Sequence, residues 1–254
     1  MKHLKNTFFI SFGILLMLSC SYQNTSLVTI SNNKELTTNS GMLPTDSLQK
    51  SKKKYDPTQY STGKFNEADV EGGCPQTGLG SDPDLNALKN RDLPPAKYNN
   101  ETISDITDKF TQLLPRGIHR SKWSANDLET AASLEEMGMA VEGYILGYTH
   151  EGEEACNCKS KVETDYHLWL GIKPDADKKD ALVVEISPRL IGANPNWIKE
   201  LHNLKNNKPL VRISGWLMWD EEHEDQLGKT RASHWEIHPI HKIEVKEGAN
   251  WKKI

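Results

Sequence analysis

Two cysteines, an aspartate and a histidine lie close together near the middle of the chain and offer ligands for a metal ion. Cys156 and Cys158 are separated by one residue, and Asp165 and His167 follow within a dozen positions. Zinc accepts such mixtures of thiolate, carboxylate and imidazole ligands, and a histidine at position 234, 238 or 241 would complete the shell. The cysteine spacing is shorter than the roughly two to four residues usual in zinc sites. A metal set of Cys156, Cys158 and His167 is therefore one hypothesis, and a disulfide is the favoured alternative.

A second set of polar residues consists of acids and histidines at alternate positions of predicted strands. His167, Glu185, Glu236 and His238 each face away from the apolar side of a strand, and Arg189 follows the third strand. Imidazole and carboxylate groups together can perform acid–base chemistry. The alternatives are a solvated outer surface or a buried hydrogen-bond network that joins these strands to the N-terminal part of the chain. Both are favoured over catalysis.

Trp169 lies on the same predicted face and adds an aromatic ring. Stacking on such rings binds single-stranded nucleic acid or sugar. The 35 acidic and 31 basic residues give a formal charge of −4, which argues against nucleic acid as a partner because its phosphates must be neutralised by Lys and Arg. The proposed ligand-binding residues are His167, Trp169, Glu185, Arg189, Glu236 and His238. The sequence contains no phosphate-binding glycine loop, serine nucleophile elbow or zinc-protease helix motif, so no catalytic residue is assigned.

Five strands and one helix are predicted to position these side chains. Period-two alternation predicts strands at 139–148, 166–170, 182–186 and 210–219, with a closing strand inside 230–245. Between the third and fourth strands, Asn194 and Pro195 begin a helix with an apolar stripe. The order β-β-β-α-β-β is that of the OB-fold, a five-stranded Greek-key barrel. The predicted fold is mainly β with flanking helices, and an open α+β sheet is the alternative.

The N-terminal part predicts export and anchoring. A basic start and a short apolar run precede Met17-Leu18-Ser19-Cys20, which resembles a bacterial lipobox whose cysteine is acylated. Residues 1–19 are therefore expected to be a signal peptide, and 20–62 the lipidated Cys20 with a polar flexible tether. Residues 63–138 are expected to be an irregular and helical segment that packs on a barrel formed by 139–254. One helix is predicted at 102–114 and another after Ser124, where Ser124-x-x-Asp127 forms a capping box.

The remaining cysteines leave the pairing open. An exported chain favours disulfides, but Cys74, Cys156 and Cys158 cannot all pair within one chain. Cys74 can pair with Cys156 or with Cys158, which leaves one thiol over. A Cys156–Cys158 bridge would be strained.

Several segments resemble an uncharacterised family of secreted bacterial proteins. They are GSDPDLNALKNR (80–91), ACNC (155–158), DYHLWL (165–170), VVEISPR (183–189), VRISGWLMWD (211–220) and WEIHPIHKIEV (235–245). The family has no assigned activity, so the resemblance supports only the OB-like fold and the exported location.

These features predict a lipoprotein of the bacterial envelope, displayed at the outer membrane or cell surface, whose OB-like domain binds a ligand or a protein partner without catalysis. One alternative is a zinc-dependent hydrolase that uses the Cys156, Cys158 and His167 region. Another is a structural module of the envelope.

Overall fold

Seven strands form one sheet in the computed structural model, which describes residues 55–66 and 69–254. The strands are β1 (Tyr98–Glu101), β2 (Gly138–His150), β3 (Tyr166–Gly171), β4 (Leu182–Ile186), β5 (Val211–Trp219), β6 (Trp235–Glu247) and β7 (Asn250–Lys253). Four of the five predicted strands start within one residue of the expected position, because each is rich in β-branched and aromatic residues with apolar residues at alternate positions.

Strands β2 to β6 close into a barrel. Their order around it is β2, β3, β4, β6, β5, and β5 pairs with β2 to complete the circle. Neighbours are antiparallel except for β4 and β6, which are parallel. A helix lies between β4 and β5, so the element order is that of the OB-fold. The mainly β fold with a closed five-stranded barrel is therefore confirmed, and the β2–β5 pairing rules out the open sheet.

The barrel interior is filled by one face of each strand. Alternation along β4 buries Leu182, Val184 and Ile186 in the core, and β6 contributes Trp235 and Ile237 in the same way. Each large apolar side chain that is fully buried stabilises the fold by about 2 kcal/mol. The opposite face of β3, β4 and β6 carries the polar residues, as predicted.

Four α-helices flank the barrel. They are α1 (Pro83–Lys89), α2 (Ala125–Glu135), α3 (Pro188–Ile191) and α4 (Asn196–Asn207). The predicted capping box is confirmed: the Ser124 hydroxyl accepts from the Asp127 backbone N–H, and the Asp127 carboxylate accepts from the Ser124 backbone N–H. The helix expected at 102–114 is a π-helical stretch (Asp105–Lys109) followed by a 3₁₀ turn (Phe110–Leu113). Further 3₁₀ turns span Pro57–Tyr60, Arg120–Lys122, Lys178–Asp180 and Glu224–Gln226.

The folded part of the chain includes residues that were assigned to the tether. Pro57 is buried, and the ring of Tyr60 lies 4.5 Å from that of Trp216 on β5. The Tyr55 hydroxyl donates to the carbonyl oxygen of Glu135 at 3.2 Å. The predicted end of the tether at Thr62 is therefore too late, because these aromatic side chains pack on the barrel. The predicted signal peptide, Cys20 and the first part of the predicted tether lie outside the described residues.

Candidate functional site

The polar face of the barrel gathers the predicted acids and histidines into one cluster. His167 on β3 lies directly opposite Glu185 on β4, and the parallel pairing of β4 with β6 sets Val183 beside Glu236. His238 follows two residues later on the same face. The buried charge cluster consists of Asp165, His167, Glu185, Arg231, Glu236 and His238, each at most 4 % exposed. It is a buried network, the second of the two alternatives to catalysis, and is not a solvated surface.

Hydrogen bonds and ion pairs join the members of the cluster. His167 Nδ1 lies 3.1 Å from Glu185 Oε1, and His238 Nδ1 lies 3.2 Å from Glu185 Oε2. The same His238 nitrogen lies 3.2 Å from Glu236 Oε1, and the other oxygen of Glu236 accepts from Arg231. Buried charges need such partners because the loss of hydration is otherwise uncompensated.

Burial and neighbouring charges shift the pKa values of the cluster in different directions. Burial, reinforced by the charge of Glu154, raises the pKa of Asp165 to about 8. Burial alone would lower the pKa of His238, but Glu185 and the other carboxylates outweigh it and raise the pKa to about 9. For Glu185, burial acts to raise the pKa, while His238 and His167 lower it below its usual range. Near neutral pH the cluster therefore pairs the Glu185 carboxylate with a charged His238.

The predicted metal set of Cys156, Cys158 and His167 is not brought together. Cys158 forms a disulfide with Cys74, so its sulfur is not available as a thiolate ligand. His167 Nδ1 is bound to Glu185 instead. Of the pairings left open by the sequence, the structure has Cys74–Cys158, and Cys156 is the remaining thiol.

Cys156 faces carboxylates on the side of the cluster nearest the 151–165 loop. Its Sγ lies 3.2 Å from Glu154 Oε2 and 3.8 Å from Asp165 Oδ2. Burial and these two carboxylates raise the pKa of the thiol well above its usual value. Cys156 is therefore a protonated thiol, which is a poor nucleophile.

Arg189 and Trp169 have structural contacts away from the cluster's ion pairs. Arg189 Nη1 donates to the Gly63 carbonyl at 2.8 Å and Nη2 to the Cys74 carbonyl at 3.1 Å, so this side chain holds the N-terminal segment. It also lines a cavity of about 510 Å³.

Trp169 is 9 % exposed, and Lys178 Nζ lies 3.3 Å from its ring centroid. Lys178 therefore covers the ring on which a ligand was predicted to stack.

Residues near α1 cover the cluster. The Arg91 guanidinium donates to the carbonyl oxygen of His238 at 3.1 Å, and Asn90 donates to that of Cys156 at 2.8 Å. Lys89 is 4 % exposed and lies 3.5 Å from Asp220 and 3.6 Å from Glu154. The sequence predicted a network that joins the strands to the N-terminal part of the chain, but it gave no role to Asp220. The signal in the sequence for the role of Lys89 was its position directly after Leu88, at the end of a helical turn with apolar residues.

Three sets of side chains bring possible metal ligands within 4.8 Å of one another in the described part of the chain. They are Asp165, Glu185 and His238; Glu154, Cys156 and Asp165; and Asp82, His119 and Glu221. The first set is fully buried, whereas the third lies at the surface.

An open cleft of about 710 Å³ lies between the N-terminal residues, α1 and α2. We call it the helical cleft, and its lining is Tyr55, Pro57, Asp84, Leu88, Arg120, Ala125, Leu128, Glu129, Ala132, Ser133, Glu135 and Glu136. No sequence pattern pointed to it, because it is formed by three segments that pack together only in the fold.

Comparisons of the chain with models of known protein families, with curated proteins and with solved structures give no significant match. Within residues 55–66 and 69–254, none of the helices has the length and apolar character needed to cross a membrane.

Proposed function

We propose that the chain is a lipid-anchored envelope protein whose OB-like domain binds a protein partner without catalysis. The helical cleft is the proposed binding site, and its occupant is a polypeptide segment with apolar and basic side chains. The observation that carries this proposal is the composition of the cleft, which combines an apolar floor with an acidic rim.

The floor of the cleft offers apolar surface to a partner. Leu128, which is 40 % exposed, lines it beside the half-buried Ala132 and Tyr55. Apolar area that leaves water on binding stabilises a complex by about 25 cal/mol per Å² before the costs of association. An apolar segment of the partner is therefore favoured at this position.

The charge of the rim determines which sign of charge is favoured in the partner. Asp84 and Glu136 are exposed on the rim. Arg120 is the cation of the lining, and it binds Glu135 through two hydrogen bonds of 2.7 and 2.5 Å. The rim is therefore negative, and complementary charge favours a basic segment.

The buried charge cluster supports binding over catalysis in this proposal. Its six side chains are covered, and none of them lines the helical cleft or the cavity beside Arg189. A substrate must reach an acid–base pair to within hydrogen-bond distance. The hydrolase alternative also loses one of its metal ligands, since Cys158 is in a disulfide.

Reversal of the rim charge tests the proposed site. Asp84→Lys with Glu136→Lys is expected to weaken binding of a labelled leucine–lysine peptide about tenfold, because two exposed attractions become repulsions. Fluorescence anisotropy with the chain carrying Cys20→Ser, which keeps it free of lipid, measures the affinity.

Asp175→Lys with Asp177→Lys is the matched control, since it makes the same charge change on the turn between β3 and β4. This control is expected to stay within about twofold of the parent affinity. Equal loss in both double variants, or equally tight binding of a leucine–glutamate peptide, would contradict the proposed site. Absence of any peptide binding would favour the structural module.

The lipid anchor rests on the lipobox-like segment that ends at Cys20. Cells that are fed radiolabelled palmitate are expected to label the wild-type chain, and Cys20→Ser is expected to abolish the label. Label that persists in Cys20→Ser would refute this anchor, whatever the outcome at the helical cleft.

A further inference from the structure

We infer that Asp165, Glu185 and His238 form a binding site for one divalent transition-metal ion, with zinc as the ion to test first. The inference is independent of the helical cleft and of the partner proposed there. It concerns a different set of residues from the one that the cysteine spacing suggested.

The three side chains converge from different elements. Asp165 immediately precedes β3, Glu185 lies on β4 and His238 on β6, and one ligand atom from each lies within 4.8 Å of the other two. Each residue is at most 3 % exposed. One imidazole nitrogen with two carboxylate oxygens is a donor set that zinc binds, at about 2.0–2.2 Å from each donor.

Two of these ligand residues have a buried polar atom without a partner. Asp165 Oδ1 and His238 Nε2 form no hydrogen bond, although both side chains are almost fully buried. His238 Nε2 faces Asp165 Oδ2 at 3.8 Å, which exceeds a hydrogen bond. Buried polar atoms are nearly always satisfied, so these two indicate a missing partner. A metal ion that displaces the proton of His238 Nε2 accepts a lone pair from this nitrogen and another from the Asp165 carboxylate.

The surrounding residues can orient the ligands from a second layer. His238 Nδ1 lies 3.2 Å from Glu236 Oε1 and 3.2 Å from Glu185 Oε2. On metal binding Glu185 leaves this nitrogen for the ion, while Glu236, whose other oxygen is held by Arg231, keeps it. A carboxylate on Nδ1–H fixes the tautomer that leaves Nε2 free to bind metal. His167 binds the Glu185 oxygen Oε1 in the same manner.

The donor set favours zinc over calcium or magnesium. Calcium takes about six to eight oxygen ligands, and magnesium keeps several waters in an octahedral shell. The buried set provides three protein ligands, of which one is imidazole nitrogen. Imidazole is typical of zinc and related transition metals.

The cover over the site determines how an ion enters. Arg91 contacts the carbonyl of His238, and the Cys74–Cys158 disulfide ties the covering segment to the loop that precedes β3. An ion would therefore bind before this segment closes. The experiment must load the metal during folding.

The test is refolding of the full chain with and without zinc. Protein that has been unfolded with reductant and chelator is reoxidised with a small excess of zinc, freed of unbound metal and measured by mass spectrometry of the elements. About one zinc per chain is expected to be retained. Asp165→Asn and His238→Gln are each expected to reduce the retained zinc at least tenfold.

Two variants control for the other candidate sets. His119→Gln disables the surface set with Asp82 and Glu221, and Cys156→Ser disables the set with Glu154. Both are expected to keep the zinc. Loss of zinc in either variant, with retention in His238→Gln, would place the ion elsewhere and overturn the inference.

A measurement on the wild-type chain tests the site without requiring that any substituted protein folds. X-ray absorption at the zinc edge is expected to show nitrogen and oxygen ligands with imidazole scattering and without sulfur. A sulfur shell would assign the ion to Cys156 and overturn the inference. Natively folded wild-type protein that retains no zinc would overturn it too.

Discussion

Oxidised protein that carries Cys74→Ala and Cys158→Ala is expected to have a free energy of unfolding about 4 kcal/mol lower than the wild type. The bridged residues are separated by 84 positions, so the disulfide closes a long loop in the unfolded chain. Closing a loop of this length removes enough chain entropy to account for about 4–5 kcal/mol. Denaturation in urea, followed by circular dichroism, measures the difference.

Cys156→Ala is the control for the disulfide variant. It removes the buried Cys156 thiol but leaves the disulfide loop closed. The expected loss in free energy of unfolding is therefore smaller than that of the disulfide variant, because only a buried sulfur atom is deleted. Wild-type protein in reductant is expected to match the double variant. If reductant leaves the urea midpoint unchanged, the disulfide contributes little to stability.

Replacing Arg91 with methionine is expected to lower the free energy of unfolding by about 4 kcal/mol. The guanidinium is fully buried and makes five hydrogen bonds, four of them to backbone carbonyls and one to Tyr55. It also lies 4.8 Å from the ring centroid of Trp216. Methionine keeps much of the volume but leaves carbonyls without donors, and each such group costs about 1–3 kcal/mol.

Two substitutions distinguish hydrogen bonding from loss of charge at Arg91. Arg91→Lys retains the charge but has fewer donors and no planar fork, so an intermediate loss is expected. Arg116→Met, at an exposed position, is expected to change stability by less than about 0.5 kcal/mol. Equal stability of the Arg91→Met and Arg116→Met proteins in urea would show that the network around Arg91 is not stabilising.

The strands of the barrel were predictable because apolar residues at alternate positions mark where each strand lies. Leu182, Val184 and Ile186 alternate without interruption, so the bounds of β4 match the expectation. Strands β1 and β7 were missed, because YNNE and NWKK contain few apolar residues and take their positions from pairing with β2 and β6. Tertiary pairing overrides weak local preference in such strands.

For the candidate site, the sequence predicted only that its residues lie on the same face of their strands. Alternation placed His167, Glu185, Glu236 and His238 on one side of their strands, and the structure brings all four together. Alternation does not say what covers a face. The cover comes from Asn90 and Arg91, which follow α1 and the Gly- and Pro-rich segment around Cys74, and Arg231 joins the cluster from an irregular loop. The choice between Cys156 and Cys158 likewise depends on where that segment lies.

The contact between Arg91 and His238 joins residues 147 positions apart. During synthesis from the N-terminus, the segment around Arg91 leaves the ribosome well before β6 exists. Its buried cation then has no carbonyl acceptors from β5 or β6. Contacts of such sequence separation slow folding because the intervening chain must be ordered first. The arrival of the last barrel strand therefore governs when the earliest folded segment can become stable, and the nascent chain must be protected from aggregation until then.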